Sequence, residues 1–142
     1  MSFDLKLENG DLKLSRLKDL EKVENNEKLL QDLLKIIITP LKANKAFPWY
    51  GSGVNGAIIG EIFDLDFATS AAAAQVRNSV ENLQKMQLSQ AQVQVLSPAE
   101  SIVVIKDVYI NTNATDLRVV EIKVSVLTAA LTVVEAKFSV RL

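Results

Sequence analysis

A strongly apolar helix is predicted at residues 29–38, and it constrains the fold more than any other segment. Seven of its ten residues are Leu or Ile, and they cover well over half of the helix circumference. Gln31, Asp32 and Lys35 mark the narrow polar side. A helix with so wide an apolar face is nearly enclosed, either by its own domain or by a partner. Pro40 ends the helix, because the residue before a proline disfavours the helical conformation.

An aromatic cluster with restricted backbone freedom, Phe47-Pro48-Trp49-Tyr50-Gly51, follows the helix after a short polar loop. Phe47, Trp49 and Tyr50 are candidate interface residues, since Trp and Tyr anchor many protein interfaces. The alternative is that the cluster covers the end of the apolar helix within the chain. Both roles are compatible if Trp49 packs inward and Tyr50 outward.

Alternation of apolar and polar residues predicts strands at both ends of the chain. Residues 3–8 alternate, Asn9-Gly10-Asp11 is a turn signal, and residues 12–14 resume the alternation, which predicts an N-terminal β-hairpin. Residues 102–112, 117–127 and 130–142 alternate again and are rich in Val and Ile. They predict a three-stranded antiparallel meander.

Two further helices are predicted between the hairpin and the meander. One is short and buried, at residues 57–63, and the other is long, at about residues 69–93. Its apolar stripe consists of Val76, Val80, Leu83 and a fourth position at Met86 or Gln87. The chain length of 142 residues fits one domain, residues 1–142. The element order predicts an α+β fold in which the apolar, short and long helices pack on one face of the C-terminal sheet.

Composition excludes the commonest site chemistries. The chain has no His and no Cys, so it lacks the commonest general base, the commonest metal ligand and any thiolate nucleophile. Gly51-Ser52-Gly53 has neither the spacing nor the Lys of a nucleotide loop. The net charge of -1 gives no overall attraction to nucleic acid or anionic membranes. We therefore expect no cofactor, no metal, no nucleic acid and no membrane partner, and a chain that folds in a cytoplasm.

Glu61, Asp64 and Asp66 form the only dense group of carboxylates in the sequence. Glu61 and Asp64 share a face if the segment is helical, and paired carboxylates can hydrolyse glycosides. The alternative function is therefore a peptidoglycan-cleaving, lysozyme-like enzyme that uses Glu61 and Asp64. This spacing is common by chance and no aromatic sugar platform surrounds it, so we favour a solvated acidic face and expect no catalytic residue.

The long helix carries polar residues that are further interface candidates. Arg77–Glu81 and Glu81–Lys85 are i,i+4 pairs that predict ordinary helix support, whereas Arg77 is also suited to clamp a partner carboxylate. Gln87 and Gln90 belong to a Gln-rich run that is suited to polar contacts with a neighbouring helix. The alternative for that run is a solvated helix end.

The order of these signals resembles the baseplate wedge family of contractile tails, the phage baseplate assembly protein W group, which includes a type VI secretion baseplate subunit. The resemblance rests on the helix at residues 26–36, the step Thr39-Pro40, the polar loop at residues 41–46 and the block Phe47-Pro48-Trp49-Tyr50-Gly51. Its sharp part is residues 29–54, and the long helix and later strands follow in the family's order.

This resemblance implies a structural subunit of a contractile-tail baseplate. Such a subunit is a wedge component that joins partner wedge helices and connects to the tail sheath or tube. The family implies six copies per assembly, located in the virion tail baseplate and assembled in the bacterial host cytoplasm. Other wedge proteins are the expected partners, with tail sheath or tube proteins as further candidates.

One departure from the family pattern concerns the segment after the long helix. Many members carry a Glu-Pro-Arg triplet there, used in contacts at the wedge core, whereas this chain reads Ser97-Pro98-Ala99-Glu100. Ser97 as cap, Pro98 at the first position and Glu100 at the third predict a capping box. The triplet is therefore not carried over, and Glu100 remains a candidate interface residue as a carboxylate only.

Overall fold

The computed structural model describes residues 2–59, 65–116 and 118–141. The α+β class predicted from the sequence is confirmed. The elements in chain order are β1 (Asp4–Leu5), β2 (Leu7–Glu8), β3 (Asp11–Leu12), β4 (Lys22–Val23), α1 (Asn25–Ile38), α2 (Val54–Ile59), α3 (Leu65–Gln90), β5 (Ile102–Thr112), β6 (Val119–Thr128) and β7 (Val133–Arg141).

The three C-terminal strands form an antiparallel sheet in the order β5-β6-β7, as the alternation predicted. Ile110 of β5 stands opposite Ile122 of β6, and Ile122 stands opposite Phe138 of β7. Alternate residues of β6 are completely buried, including Val120, Ile122 and Val124. One face of the sheet therefore forms the core, and β5 and β7 are its edges.

The four short strands β1–β4 and their turns, residues 4–23, precede α1 and are here called the β-arm. β2 and β3 pair around Asn9 and Gly10, whose φ values of 53° and 83° suit a two-residue hairpin turn. Gln31 of α1 fixes this arm to the helix: its side-chain amide donates to the carbonyl of Leu5 (2.8 Å), and its Oε1 accepts from the amide of Leu7 (2.9 Å). Hydrogen bonds of Gln31 thus attach the β-arm to α1.

The core lies between the helices and the sheet. α1 contributes Leu29, Leu33 and Ile36, all fully buried. The stripe predicted on the long helix is confirmed, because its members Val76, Val80 and Leu83 are buried in the same cluster. Such apolar burial is the dominant favourable term in folding.

Helix boundaries differ from the predicted ones in α2 and α3, and α3 also ends at Gln90 rather than near residue 93. α2 begins at Val54 rather than near residue 57, and residues 60–64 lie outside the described part of the chain. α3 begins at Leu65 rather than near residue 69. Ala68 in this additional first turn is buried.

Within the described residues, no helix has both the length and the apolar character needed to cross a membrane.

Candidate protein interface

The exposed surface of the chain is large for its mass. A compact monomer of 15.6 kDa exposes about 7,200 Å², whereas this chain exposes 8908 Å². The excess of about 1,700 Å² is twice what one partner contributes to a standard interface. Exposed large apolar side chains contribute to this surface on the β-arm, α1, the aromatic cluster, α3 and the C-terminal sheet, and those on α1 and in the aromatic cluster line two grooves.

The first apolar surface is a groove along α1, here called the α1 groove, of about 570 Å³. Leu30, Leu34 and Ile38 lie along it one helical turn apart and remain 37%, 38% and 50% exposed. Its walls are the β-arm and residues 135–138 of β7. The domain itself therefore buries only one side of the wide apolar face of α1, and this stripe remains open.

Ion pairs hold the β-arm beside this groove. Lys35 contacts the carboxylates of Asp4 and Asp32, and Lys28 lies 2.7 Å from Asp32. Burial alone raises the pKa of Asp4, but hydrogen bonds from Lys35, the Leu5 amide and Gln31 bring it below its ordinary value on balance. Burial lowers the pKa of Lys35, yet its hydrogen bond to Asp4 and the nearby carboxylates raise it on balance.

The aromatic cluster has one inward ring and two outward rings. The ring centroids of Phe47 and Trp49 lie 5.9 Å apart, and those of Trp49 and Tyr50 lie 6.2 Å apart, both edge to face. Tyr50 is partly buried against the core, and this burial raises the pKa of its phenol. Phe47 and Trp49 remain 53% and 42% exposed. The arrangement under which both roles are compatible, with Trp49 inward and Tyr50 outward, is therefore the reverse of the one observed.

Backbone contacts hold the loop that carries these rings. Gly51 has φ 122°, and a Cβ there would lie 2.6 Å from the carbonyl oxygen of Thr39 and 2.8 Å from that of Pro40. The amide of Ser52 donates to the same Thr39 oxygen at 2.8 Å, and the hydroxyl of Ser79 donates to the carbonyl of Gly51 at 2.9 Å. Phe47 and Trp49 are thus presented by an ordered loop, which reduces the entropy lost when they bind a partner.

These two rings border a second groove, here called the aromatic groove, of about 450 Å³. Its other wall is α3, which contributes Lys85 and Met86 together with the polar residues Asn82 and Ser89. The side-chain amide of Asn82 donates to the carbonyl of Trp49 at 3.5 Å. The groove therefore combines aromatic, thioether and cationic side chains.

Arg77, Glu81 and Lys85 are spaced four residues apart on α3 and form a charged row, here called the crest of α3. The predicted pairs Arg77–Glu81 and Glu81–Lys85 are wrong, since none of the three forms an ion pair with any described residue. Exposed i,i+4 pairs gain little, because ordering two long side chains offsets most of their attraction. The three residues instead line a shallow third groove with Gln84 and residues 103–105 of β5.

The structure places Gln87 and Glu100 inside the chain rather than on its surface. Gln87 is 5% exposed, and its side chain donates to the carbonyl of Glu100 (2.7 Å) and accepts from the amide of Ile102 (2.9 Å). The carboxylate of Glu100 is buried and accepts from the amide of Ser97 at 2.9 Å, which is one half of the predicted capping box. The other half is missing, because the hydroxyl of Ser97 is buried without a hydrogen-bond partner. Both side chains join the loop after α3 to the body of the fold, so neither reaches a partner.

The remaining candidates are placed differently. Gln90 is partly exposed and donates to the side-chain oxygen of Gln94 at 3.0 Å. Glu61 and Asp64 lie outside the described residues. Within the described ranges, no group of three or more carboxylate, His or Cys side chains is arranged to hold a metal ion. Of the seven interface candidates, Phe47 and Trp49 therefore line the aromatic groove, Arg77 lines the third groove, and Lys85, which was not a candidate, lines both.

Comparison of the chain with protein-family models and with curated proteins found no match in either case.

Proposed function

We propose that this chain is a structural subunit of a contractile-tail baseplate, a wedge component that joins partner wedge helices and connects to the tail sheath or tube. The observation that carries the proposal is the exposed pair Phe47 and Trp49, held by an ordered loop beside an open face of α3. Large aromatic side chains with few accessible conformers are the usual anchors of protein interfaces.

The α1 groove supports the same proposal from another side of the chain. Leu30, Leu34 and Ile38 make a stripe with a spacing of four residues, the spacing with which helices pack on one another. A partner helix packed on this stripe buries the three apolar side chains of α1 that the domain leaves exposed. In this account the helices rest on one face of the C-terminal sheet, and the N-terminal hairpin forms the arm beside the groove.

The mechanism is mechanical. The subunit holds partner helices through packed surface and uses no catalytic residue. Six copies stand in each virion tail baseplate, and each copy is exposed to partners on at least two sides.

The test is co-expression with candidate wedge, sheath and tube proteins encoded beside this chain. We expect Trp49→Ala and Leu34→Glu each to abolish co-purification while the melting temperature of the isolated chain changes little. Tyr109→Ala is the matched control, because Tyr109 is an exposed aromatic residue on β5, away from both grooves. Co-purification unaffected by both interface variants contradicts the proposal. A loss that merely follows reduced stability assigns Trp49 to the core instead.

A further inference from the structure

The crest of α3 presents two positive charges that the fold leaves unpaired. Arg77 and Lys85 are exposed and form no ion pair with any described residue, although Glu81 lies four positions from each. They are also the only cations in residues 46–105. Two turns of helix separate them, which places their Cα atoms about 12 Å apart along the axis.

Apolar surface lies on both sides of these charges. Lys85 lines the aromatic groove with Phe47, Trp49 and Met86, and it also lines the third groove with residues 103–105. Val103 and Val104 there are 49% and 48% exposed. The crest is thus a row of charge flanked by two apolar strips, and its one anion is Glu81.

We propose that this face of α3 binds an acidic amphipathic helix of a partner protein. An apolar side chain of that helix enters the aromatic groove, and two carboxylates spaced two turns apart meet Arg77 and Lys85. Charge complementarity selects this occupant. Glu81, between the two cations, repels the continuous phosphates of a nucleic acid, whereas a helix can place a neutral residue opposite it.

This inference names the chemistry of the partner and rests on the proposed function in assuming that the face meets a protein. Its test uses only the isolated chain. A negative peptide-binding result therefore leaves the co-purification result unaffected, and a negative co-purification result leaves the peptide-binding test unaffected. Helical peptides are selected from a display library against the immobilised protein, and the selected peptide is then titrated. The emission of Trp49, the only tryptophan, reports occupation of the aromatic groove directly.

We expect the selected helices to carry Asp or Glu two turns apart beside Leu or an aromatic residue, and binding to shift Trp49 emission to shorter wavelength. Lys85→Glu and Arg77→Glu should each weaken binding about tenfold, more at low salt. Phe47→Ala should weaken it about 30-fold, the size of a hot-spot loss. Lys18→Glu is the control, because it makes the same charge change on an exposed turn of the arm.

Four results overturn the proposal. They are selection of no helix, selection of helices without an acidic preference, binding that is unchanged in Lys85→Glu, and binding of a DNA duplex that Lys85→Glu abolishes. Circular dichroism of each variant checks that the fold is retained, and these exposed substitutions should leave the melting temperature close to that of the parent.

Discussion

Replacing Gly51 by Ala tests whether the aromatic loop is held as rigidly as its contacts indicate. The new Cβ would lie 2.6 Å from the Thr39 oxygen and 2.8 Å from the Pro40 oxygen, and both are backbone atoms that cannot rotate away. The φ of 122° adds strain, since L-residues rarely adopt this region. Such a conformation costs about 1–3 kcal/mol, and displacing two carbonyl groups increases it. We expect Gly51→Ala to lower the free energy of unfolding by about 3 kcal/mol or more.

Gly56→Ala is the matched control for this measurement. Gly56 lies in α2, and a Cβ there meets nothing within 4 Å. The control should raise the free energy of unfolding by about 0.5–1 kcal/mol, because Ala is the better helix former. Urea unfolding followed by circular dichroism and by Trp49 emission gives both values. A Gly51→Ala variant as stable as the parent would refute the reasoning, because the loop would then be free to move.

Three further predictions concern the interior, the ion pairs and the alternative activity. Gln87→Leu should lower the free energy of unfolding by about 2–3 kcal/mol, because it leaves the Ile102 amide and the Glu100 carbonyl buried without partners. Gln90→Leu is the control and should change the free energy of unfolding by less than about 0.5 kcal/mol. Equal effects of the two variants in urea unfolding would contradict the internal role of Gln87. Asp4 has a lowered pKa in the folded chain, so it stabilises the fold above its unfolded pKa and loses that effect as pH falls through the folded value; melting between pH 7 and pH 2 should show a smaller acid loss in Asp4→Asn. The purified chain should leave peptidoglycan intact in a zymogram, and clearing that disappears in Glu61→Gln would establish the enzyme instead.

The parts of the fold that could be predicted from sequence are those set by local chemistry. Asn9-Gly10 supplies two positive φ angles and therefore a hairpin turn. Pro40 ends α1 because the residue before it takes an extended conformation, and Thr39 has ψ 124°. Alternation along residues 117–127 predicted a strand there, and β6 buries alternate residues because the side chains of a strand point to opposite sides in turn.

The interface candidates were harder to predict because long-range contacts decide them. Gln87 lies in a Gln-rich run that looks solvated, yet the loop after α3 folds back and buries it. Tyr50 points inward and Trp49 outward because the loop is fixed through Gly51 and its hydrogen bond from Ser79, which adjacency in sequence does not specify. Spacing alone also overstated the ion pairs of Glu81, whose net attraction in water is small.

The exposed stripe of α1 could not be predicted for the same reason, because long-range packing decides it. Periodicity placed Leu30, Leu34 and Ile38 on the apolar face of the helix. It did not show that the rest of the domain leaves this part of the face uncovered. The extent of the apolar face was the available signal, since one domain seldom encloses so much of a helix.

The most direct test of the central claim is quenching of Trp49 by iodide in the free chain and in the reconstituted assembly. Trp49 is the only tryptophan of the chain and is 42% exposed; the other proteins are used as Trp→Phe variants so that only this residue emits. The account predicts efficient quenching in the free chain and strong protection in the assembly. Equal quenching in both states would contradict the claim that the aromatic cluster is a partner interface.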